Sequence, residues 1–280
     1  MSNRIYILTA VHNYLNDTKK LLESINCQSF KNYEIYLIDD GSTDGTAGFV
    51  HQNYPKANVL RGDGNLWWTA SLNLGLKKIL DKAGIDDYVW IINNDCYFAK
   101  DALKNLYNFN KGLKGSKNIV GSVVLDSKTK KVRDTGIKIN WRTLRFSSVK
   151  PKDLNKATID ALSTKGTLYP VGVFREIGFF DAKHFPHYFS DYELSIRAKI
   201  NGYNLLVFPK CIIYNESERT GIENSTLIRS SLTGLAGLLF SKKSKVNLLL
   251  QFNMIRYVCP KEFRSKSLLF LVSKIIKYIF

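Results

Sequence analysis

Three groups of acidic residues stand out by type and spacing. Ile38-Asp39-Asp40-Gly41-Ser42-Thr43-Asp44-Gly45-Thr46 delivers two adjacent carboxylates from an apolar stretch into a turn of small residues. Asn93-Asn94-Asp95 ends a second apolar run, Tyr88 to Ile92. Asp191 precedes Leu194, Arg197 and Ala198, which recur at helical spacing, so it falls in a first helical turn, where an anion is favoured. Ionised carboxylates accept hydrogen bonds from a ligand, hold a hard cation through oxygen, or take a proton from a hydroxyl. Two adjacent acids at a strand end are costly unless something polar or cationic meets them. Each group also has a structural reading: Asp44 or Ser42 capping the helix that follows, Asp95 capping a helix from near Ala99, and Asp191 capping its own helix.

Taken together and in this order, the motifs resemble those of the family 2 inverting glycosyltransferases, whose first half carries a turn of the form IDDGSTDGT, matched here at every position. The resemblance covers residues 3–220. It implies an α/β fold of the GT-A type, Rossmann-like, with a mostly parallel central sheet flanked by helices. By the same resemblance Thr9 and Asp40 would hold the base and ribose of a nucleotide-sugar donor, with Asp39 as a supporting acid. Arg61-Gly62-Asp63-Gly64-Asn65-Leu66-Trp67-Trp68 supplies Arg61 and Asn65 at places where relatives contact the donor, Arg61 toward the diphosphate. One of the two tryptophans is expected to reach the cleft, and Trp68 is assigned there, the other reading being that both pack in the core.

Asn93-Asn94-Asp95 is similar to the family's DxD site, with Asp95 as ligand to Mg2+ or Mn2+ and Asn94 beside the donor. Asp191 stands at the carboxylate of an ED motif, with Ser190 replacing the Glu, and is the expected base of one inverting displacement. Glu193 and His187 fall to the acceptor side. Arg197-Ala198-Lys199-Ile200-Asn201-Gly202-Tyr203 completes the Arg-Ala-x-x-x-Gly-Tyr pattern. Where many relatives carry a His after the last core strand, this chain reads Ile213-Tyr214-Asn215-Glu216-Ser217, leaving Asn215, Glu216 or water to complete the metal shell. The other histidines, His12, His51 and His184, are scattered and read as structural. The Asn-Asn-Asp form and the paired tryptophans look like the branch that holds rhamnosyl- and galactofuranosyl-transferases of bacterial surface polysaccharides, O-antigen or capsule.

The elements that must position these residues alternate. Ile5 to Ala10 and Tyr33 to Ile38 are β-like runs; Leu21, Leu22 and Ile25 recur at helical spacing behind Asn16 and Asp17 as caps. A short helix around Ala47 to Gln52, a strand near Val59, a helix over Thr69 to Leu80 and the strand Tyr88 to Ile92 follow. Such alternation predicts a largely parallel, doubly wound sheet, whose ligands bind beyond the carboxyl ends of the strands, where Asp39, Asp40 and Asp95 lie. Gly121 to Phe146 reads as short β pieces, Ser147 to Thr164 as a mobile polar loop, and Ser225 to Phe240, Val246 to Tyr257 and Ser265 to Phe280 as helices. The expected organisation is a catalytic unit over 1–220, split into a donor half (1–100) and an acceptor half (101–220), then a helical basic tail over 221–280.

At 280 residues, 45% of them hydrophobic, the chain is long enough for one large catalytic domain with an appendage. Its 41 Lys and Arg against 24 Asp and Glu give a net charge of +17, a surface that seeks anions. A nucleic acid, a nucleotide-sugar diphosphate or a lipid leaflet would each satisfy that. No recognised nucleic-acid motif organises the basic residues, so a nucleic acid is not expected. A nucleotidyltransferase would place a glycine-rich loop after the first strand, where Ala10-Val11-His12-Asn13-Tyr14 stands. Cys27, Cys96, Cys211 and Cys259 are too dispersed for a zinc site or a disulfide scaffold.

The lysines from Lys242 to Lys277, interleaved with Leu, Ile, Phe and Tyr, suit a helix lying in a membrane interface, too short and too charged to span it. Alternatively the apolar face packs on the catalytic unit or on a second copy in a homodimer. The start of the chain shows no secretory signal, which points to a cytoplasmic protein peripheral on the inner membrane's cytoplasmic face, acting on a glycan or lipid-linked acceptor. The competing reading is a noncatalytic nucleotide- or glycan-binding module on the same fold.

Overall fold

The computed structural model describes residues 3–154, 156–216, 239–241, 244 and 247–279, with side chains as far as 276. Its first half is built as the alternation predicts: β1 (Ile5–Val11), α1 (Leu15–Asn26), β2 (Tyr33–Asp39), α2 (Thr46–Asn53), β3 (Asn58–Arg61), α3 (Trp67–Leu80) and β4 (Tyr88–Ile91). Next come β5 (Cys96–Phe98), α4 (Ala102–Lys111), β6 (Asn118–Asp126), β7 (Val132–Asp134), β8 (Ile137–Asn140), β9 (Arg145–Ser148) and β10 (Thr167–Pro170). Then α5 (Val171–Ile177), α6 (Ser190–Ile200), β11 (Asn204–Asn215), α7 (Leu248–Tyr257) and α8 (Arg264–Ile279) close the described chain.

The main sheet has the order β3-β2-β1-β4-β10-β6-β11-β5, with β7 on β6. β1 pairs in parallel with β2 and β4, β2 with β3, and β6 with β11. β10 is inserted antiparallel between β4 and β6. The carboxyl ends of β1, β2, β3, β4, β6 and β11 therefore open on one edge, together with the start of β10. That edge is where a ligand of an open α/β sheet belongs.

Period-two alternation sorts each strand between two cores. Leu8, Ile38 and Ile91 face Leu72, Leu76 and Leu194; Ile7, Leu37 and Trp90 face Leu21, Leu22, Leu103 and Leu106. Gly75 of α3 lets helix and sheet touch, since a Cβ there would meet Leu8 Cδ1 at 2.4 Å. A third cluster joins Ile137, Ala161, Phe185 and Ile196 to Leu250 and Met254 of α7 and to Val258 just after it, so α7 is packed on β8 and α6. α8 lays Ser267 and Leu271 inward.

Several expectations are corrected. α1 is not capped by Asn16 or Asp17: its N-cap is Tyr14 in a left-handed conformation (φ 63°), and Asp44 Oδ2 accepts from Leu15 N at 2.8 Å. Asp95 caps no helix, because Cys96 to Phe98 form β5 and α4 starts at Ala102. The stretch 147–164 is only partly loop: Ile159, Ala161 and Leu162 are buried and Ala161 bridges Ile137. Three small apolar residues in a polar run carry no periodicity, so the sequence conceals that packing. The helix expected at Ser225 to Phe240 lies, but for its last residues, outside the described residues.

Candidate active site

Asp39 and Asp40 first serve the backbone around them. Asp39 is buried with Leu37 on the α1 face, and its Oδ1 accepts from Ser42 N at 2.9 Å. Asp40 turns the other way and accepts from Gly64 N at 2.8 Å and from Trp67 N at 3.0 Å. This ties the IDDGSTDGT turn to the first turn of α3. Gly62 leaves room for it, since a Cβ there would stand 2.5 Å from Asp40 Oδ1. Thr9, expected at the donor base, is instead fully buried in β1, because alternation places it with Ile7 and Val11 under α1. Arg61 and Asn65 are exposed at the carboxyl end of β3 and in the loop after it.

Trp68 is half-buried and packs against the core beside α3. Trp67 is the tryptophan that faces the acceptor loop: its ring meets His187 edge-on at 5.7 Å. Its φ of 59° is strained for a bulky residue, and the Asp40 contact at its N–H helps hold it there.

Asn93, Asn94 and Asp95 follow β4 on the open edge, all half-buried. Burial pushes the Asp95 carboxyl up, while the Lys165 ammonium and the Asn215 amide pull it down. Asn215 ends β11 and donates to Asp95 O at 3.4 Å. The Glu216 carboxylate accepts from Lys20 Nζ at 2.9 Å and from Ser127 Oγ at 3.0 Å. Among the described residues no group of three or more His, Cys, Asp or Glu stands ready for a cation. A divalent ion would therefore take Asp95 as its protein carboxylate and draw its other oxygens from diphosphate, water and the neighbouring Asn amides. The desolvated Asp95 fits that arrangement, because a cation offsets the cost of burying its charge.

Asp191 begins α6 behind Phe189, whose left-handed φ of 66° turns the chain into the helix. Its carboxyl is pushed up to about 6 by burial, with Asp134 adding to the rise and the Tyr192 N–H, 2.9 Å from Oδ1, opposing it. The Tyr169 hydroxyl, fully buried and without a partner among the described residues, lies within the field of Asp191 and is itself raised by burial. Ser190 is buried, and its Oγ has no partner among the described residues.

Glu193 was expected on the acceptor side, and that is corrected: it is buried, and Arg197 clasps it through Nε at 2.6 Å and Nη2 at 3.0 Å. Arg197 Nη2 also donates to Phe179 O at 2.7 Å, and Nη1 to Ile177 O, so the Arg-Ala pattern braces the loop before Asp191. One helical turn separates Glu193 from Arg197, which is the spacing at which such side chains meet.

Two residues that the sequence did not single out complete the cleft. Asp134, at the end of β7, accepts from Gly136 N at 2.8 Å and acts electrostatically on Asp191 and Tyr192; burial raises its carboxyl. Lys165, in the turn entering β10, donates to Asn215 Oδ1 at 3.2 Å and acts on Asp95, Asp134 and Asp191 alike. Neither lies in a motif; the only signal was a lone Asp before Thr-Gly and a lone Lys before Gly. Close by, α7 grips the loop between α5 and α6: His184 Nδ1 meets Asp181 Oδ2 at 2.7 Å, Tyr257 Oη meets His184 Nε2 at 3.0 Å, and Asn253 donates to His184 O at 3.0 Å.

The sequence profile described as "Glycosyl transferase family 2" matches residues 6–178, more than half of the chain. An uncharacterized glycosyltransferase of Haemophilus influenzae is 32% identical over 115 residues, covering 38% of this chain and 41% of that protein. An N-acetylglucosaminyl-diphospho-decaprenol L-rhamnosyltransferase of Mycobacterium tuberculosis is 27% identical over 94 residues, 31% of each. The chain thus matches less than half the length of these curated relatives. Among solved structures, the mannosyltransferase PcManGT from Pyrobaculum calidifontis, in complex with GDP-Man and Mn2+, superposes with a TM-score of 0.59 at 14% identity, covering 100% of this chain and 88% of that one. At that identity the likeness shows the shared GT-A-like fold.

Proposed function

The chain belongs to glycosyl transferase family 2, and from that premise we propose that it is an inverting transferase moving a sugar from a dTDP- or UDP-linked donor to an acceptor hydroxyl. The observation that supports this reading is that Asp95, following β4 on the open edge, and Asp191, in the first turn of α6, both feel the charge of Lys165, whose turn is tied to Ile91 and Asn93 at that edge. Asp191 takes the proton of the acceptor hydroxyl as that oxygen forms its bond to the anomeric carbon. The bond from that carbon to the diphosphate oxygen breaks on the opposite face, and the nucleoside diphosphate leaves with the electron pair. A carboxyl near 6 is largely ionised at neutral pH yet basic enough to share a proton in the transition state. Mg2+ or Mn2+ held by Asp95 would supply positive charge to the departing diphosphate.

Rhamnose is the sugar this reading favours, supported by the name of the mycobacterial relative, and the acceptor is a glycan or lipid-linked intermediate of a surface polysaccharide such as O-antigen or capsule. A lipid-linked acceptor also suits the tail. Leu249 and Phe252 of α7 and Leu268, Leu269, Val272 and Ile276 of α8 are exposed, with Lys266 among them, a surface fit to rest on the cytoplasmic leaflet. Lys274 does not contribute to that face, since its ammonium turns to Gln251 Oε1 at 3.1 Å. Among the described residues no helix is long and apolar enough to cross a membrane.

The test is transfer and slow hydrolysis by purified protein across UDP-, dTDP- and GDP-sugars with Mg2+ or Mn2+. One donor should release its nucleoside diphosphate, and Asp191→Asn and Asp95→Ala should both abolish that release. A wild-type protein that binds none of these nucleotides would sink the transferase reading and leave a noncatalytic module on this fold.

A further inference from the structure

Lys165 sits in a turn that the fold holds rigidly. Gly166 N donates to Ile91 O at 3.0 Å, Thr167 Oγ1 to Ser163 O at 2.6 Å, and Thr164 Oγ1 to Asn93 Oδ1 at 3.4 Å. Gly166 has a φ of +81°, and a Cβ there would meet Ile213 Cγ1 at 2.8 Å. The lysine's backbone is therefore pinned beside Asn93-Asn94-Asp95, in the turn that enters β10, the strand next to β4.

The ammonium itself is lightly engaged. Its one hydrogen bond among the described residues goes to Asn215 Oδ1, which leaves further N–H donors for a ligand. Asp95, Asp134 and Asp191 all feel its charge, yet it joins none of the ion pairs among the described residues. A donor diphosphate brought into this cleft would add negative charge beside three carboxylates. Arg61 is poorly placed to balance it, because β3 is three strands from β4, roughly 14 Å at the usual spacing. Lys165 is in the turn that leads into the strand adjacent to β4.

We propose that Lys165 is the fixed cation of the donor site, its ammonium binding the diphosphate of the nucleotide-sugar while Asn215 holds the side chain in place. Lysine serves phosphate as a compact point charge with three rotatable donors, which matches an amine tethered at one point and open at the others. Asn215, the last residue of β11, stands at a position where a further metal ligand is expected, and its amide oxygen accepts from the lysine. A protein cation thereby shares with any divalent ion the task of neutralising the diphosphate.

This proposal rests on the transferase reading, and the two fail differently. Isothermal titration of wild type, Lys165→Met and Lys165→Arg with UDP, dTDP and GDP, and with the matching nucleosides, is made in EDTA and again in Mn2+. In EDTA, Lys165→Met should bind the preferred nucleoside diphosphate at least about tenfold more weakly, the value of one charge-assisted contact. Lys165→Arg should recover part of the loss, and nucleoside affinity should not change. Equal diphosphate affinity in wild type and Lys165→Met would overturn the proposal and spare the transferase; so would an equal loss of nucleoside, which would mark a structural lysine. A wild type that binds no nucleotide would overturn both.

Discussion

The carboxylate of Asp40 accepts the backbone N–H of Trp67 at 3.0 Å, fastening a strand end to a tryptophan held in a left-handed conformation. Removing that carboxylate leaves two enclosed N–H groups, of Gly64 and Trp67, without their acceptor. Asp40→Ala should therefore cost about 1–3 kcal/mol of stability whatever its effect on nucleotide. Thermal unfolding checks this; a variant that melts with wild type while losing nucleotide affinity would make Asp40 a ligand contact alone.

Asp191 ties activity and stability to the same proton. Its carboxyl titrates near 6 in the folded chain against 3.8 ordinarily, so the folded state holds the proton more tightly. The stability from this group is full below pH of about 4 and is lost as pH rises through about 6. Asp191→Asn should match wild type in melting temperature at pH 4 and exceed it at pH 8. Its turnover should fall by about 100-fold or more, and wild-type kcat/KM should decline below pH of about 6. A pH-independent rate down to pH 4.5 would remove Asp191 as the base.

The Glu193–Arg197 pair predicts a different signature. Breaking a buried pair leaves an uncompensated charge, so Arg197→Met should destabilise the fold by about 3–5 kcal/mol. Glu193→Gln, which keeps the shape, should lower the melting temperature less and leave acceptor KM unchanged. An acceptor KM raised tenfold in a well-folded Glu193→Gln protein would restore Glu193 to the acceptor site.

For the tail, Leu269→Asp with Val272→Asp places charge on the exposed face of α8 without touching buried Leu271. Co-sedimentation with vesicles containing anionic lipid should fall several-fold while melting temperature and donor hydrolysis hold. Equal sedimentation of both proteins would remove this face from the membrane proposal.

The legible part of the fold was the part written in periodicity. Leu21, Leu22 and Ile25 announced α1, and Ile5 to Ala10 announced β1, because one face of each had to be buried. The position of the acids at strand ends was equally readable from Asp39 and Asp95. What the sequence hid depends on partners far along the chain. Lys165 gains its place only when β10 inserts beside β4, and Asp134 only when β7 folds back on β6. Glu193 and Trp68 look available in a linear string, but packing against Arg197 and the α3 core turns both inward.

The hold of α7 on the acceptor loop, through Tyr257 and Asn253 at His184, bears on how such a scaffold could be re-engineered. A chimera that exchanges residues 181–191 for those of another transferase, while keeping the native 248–258, would graft a foreign loop onto a helix shaped for His184. The two segments form one cassette, and acceptor preference should transplant only when both travel together.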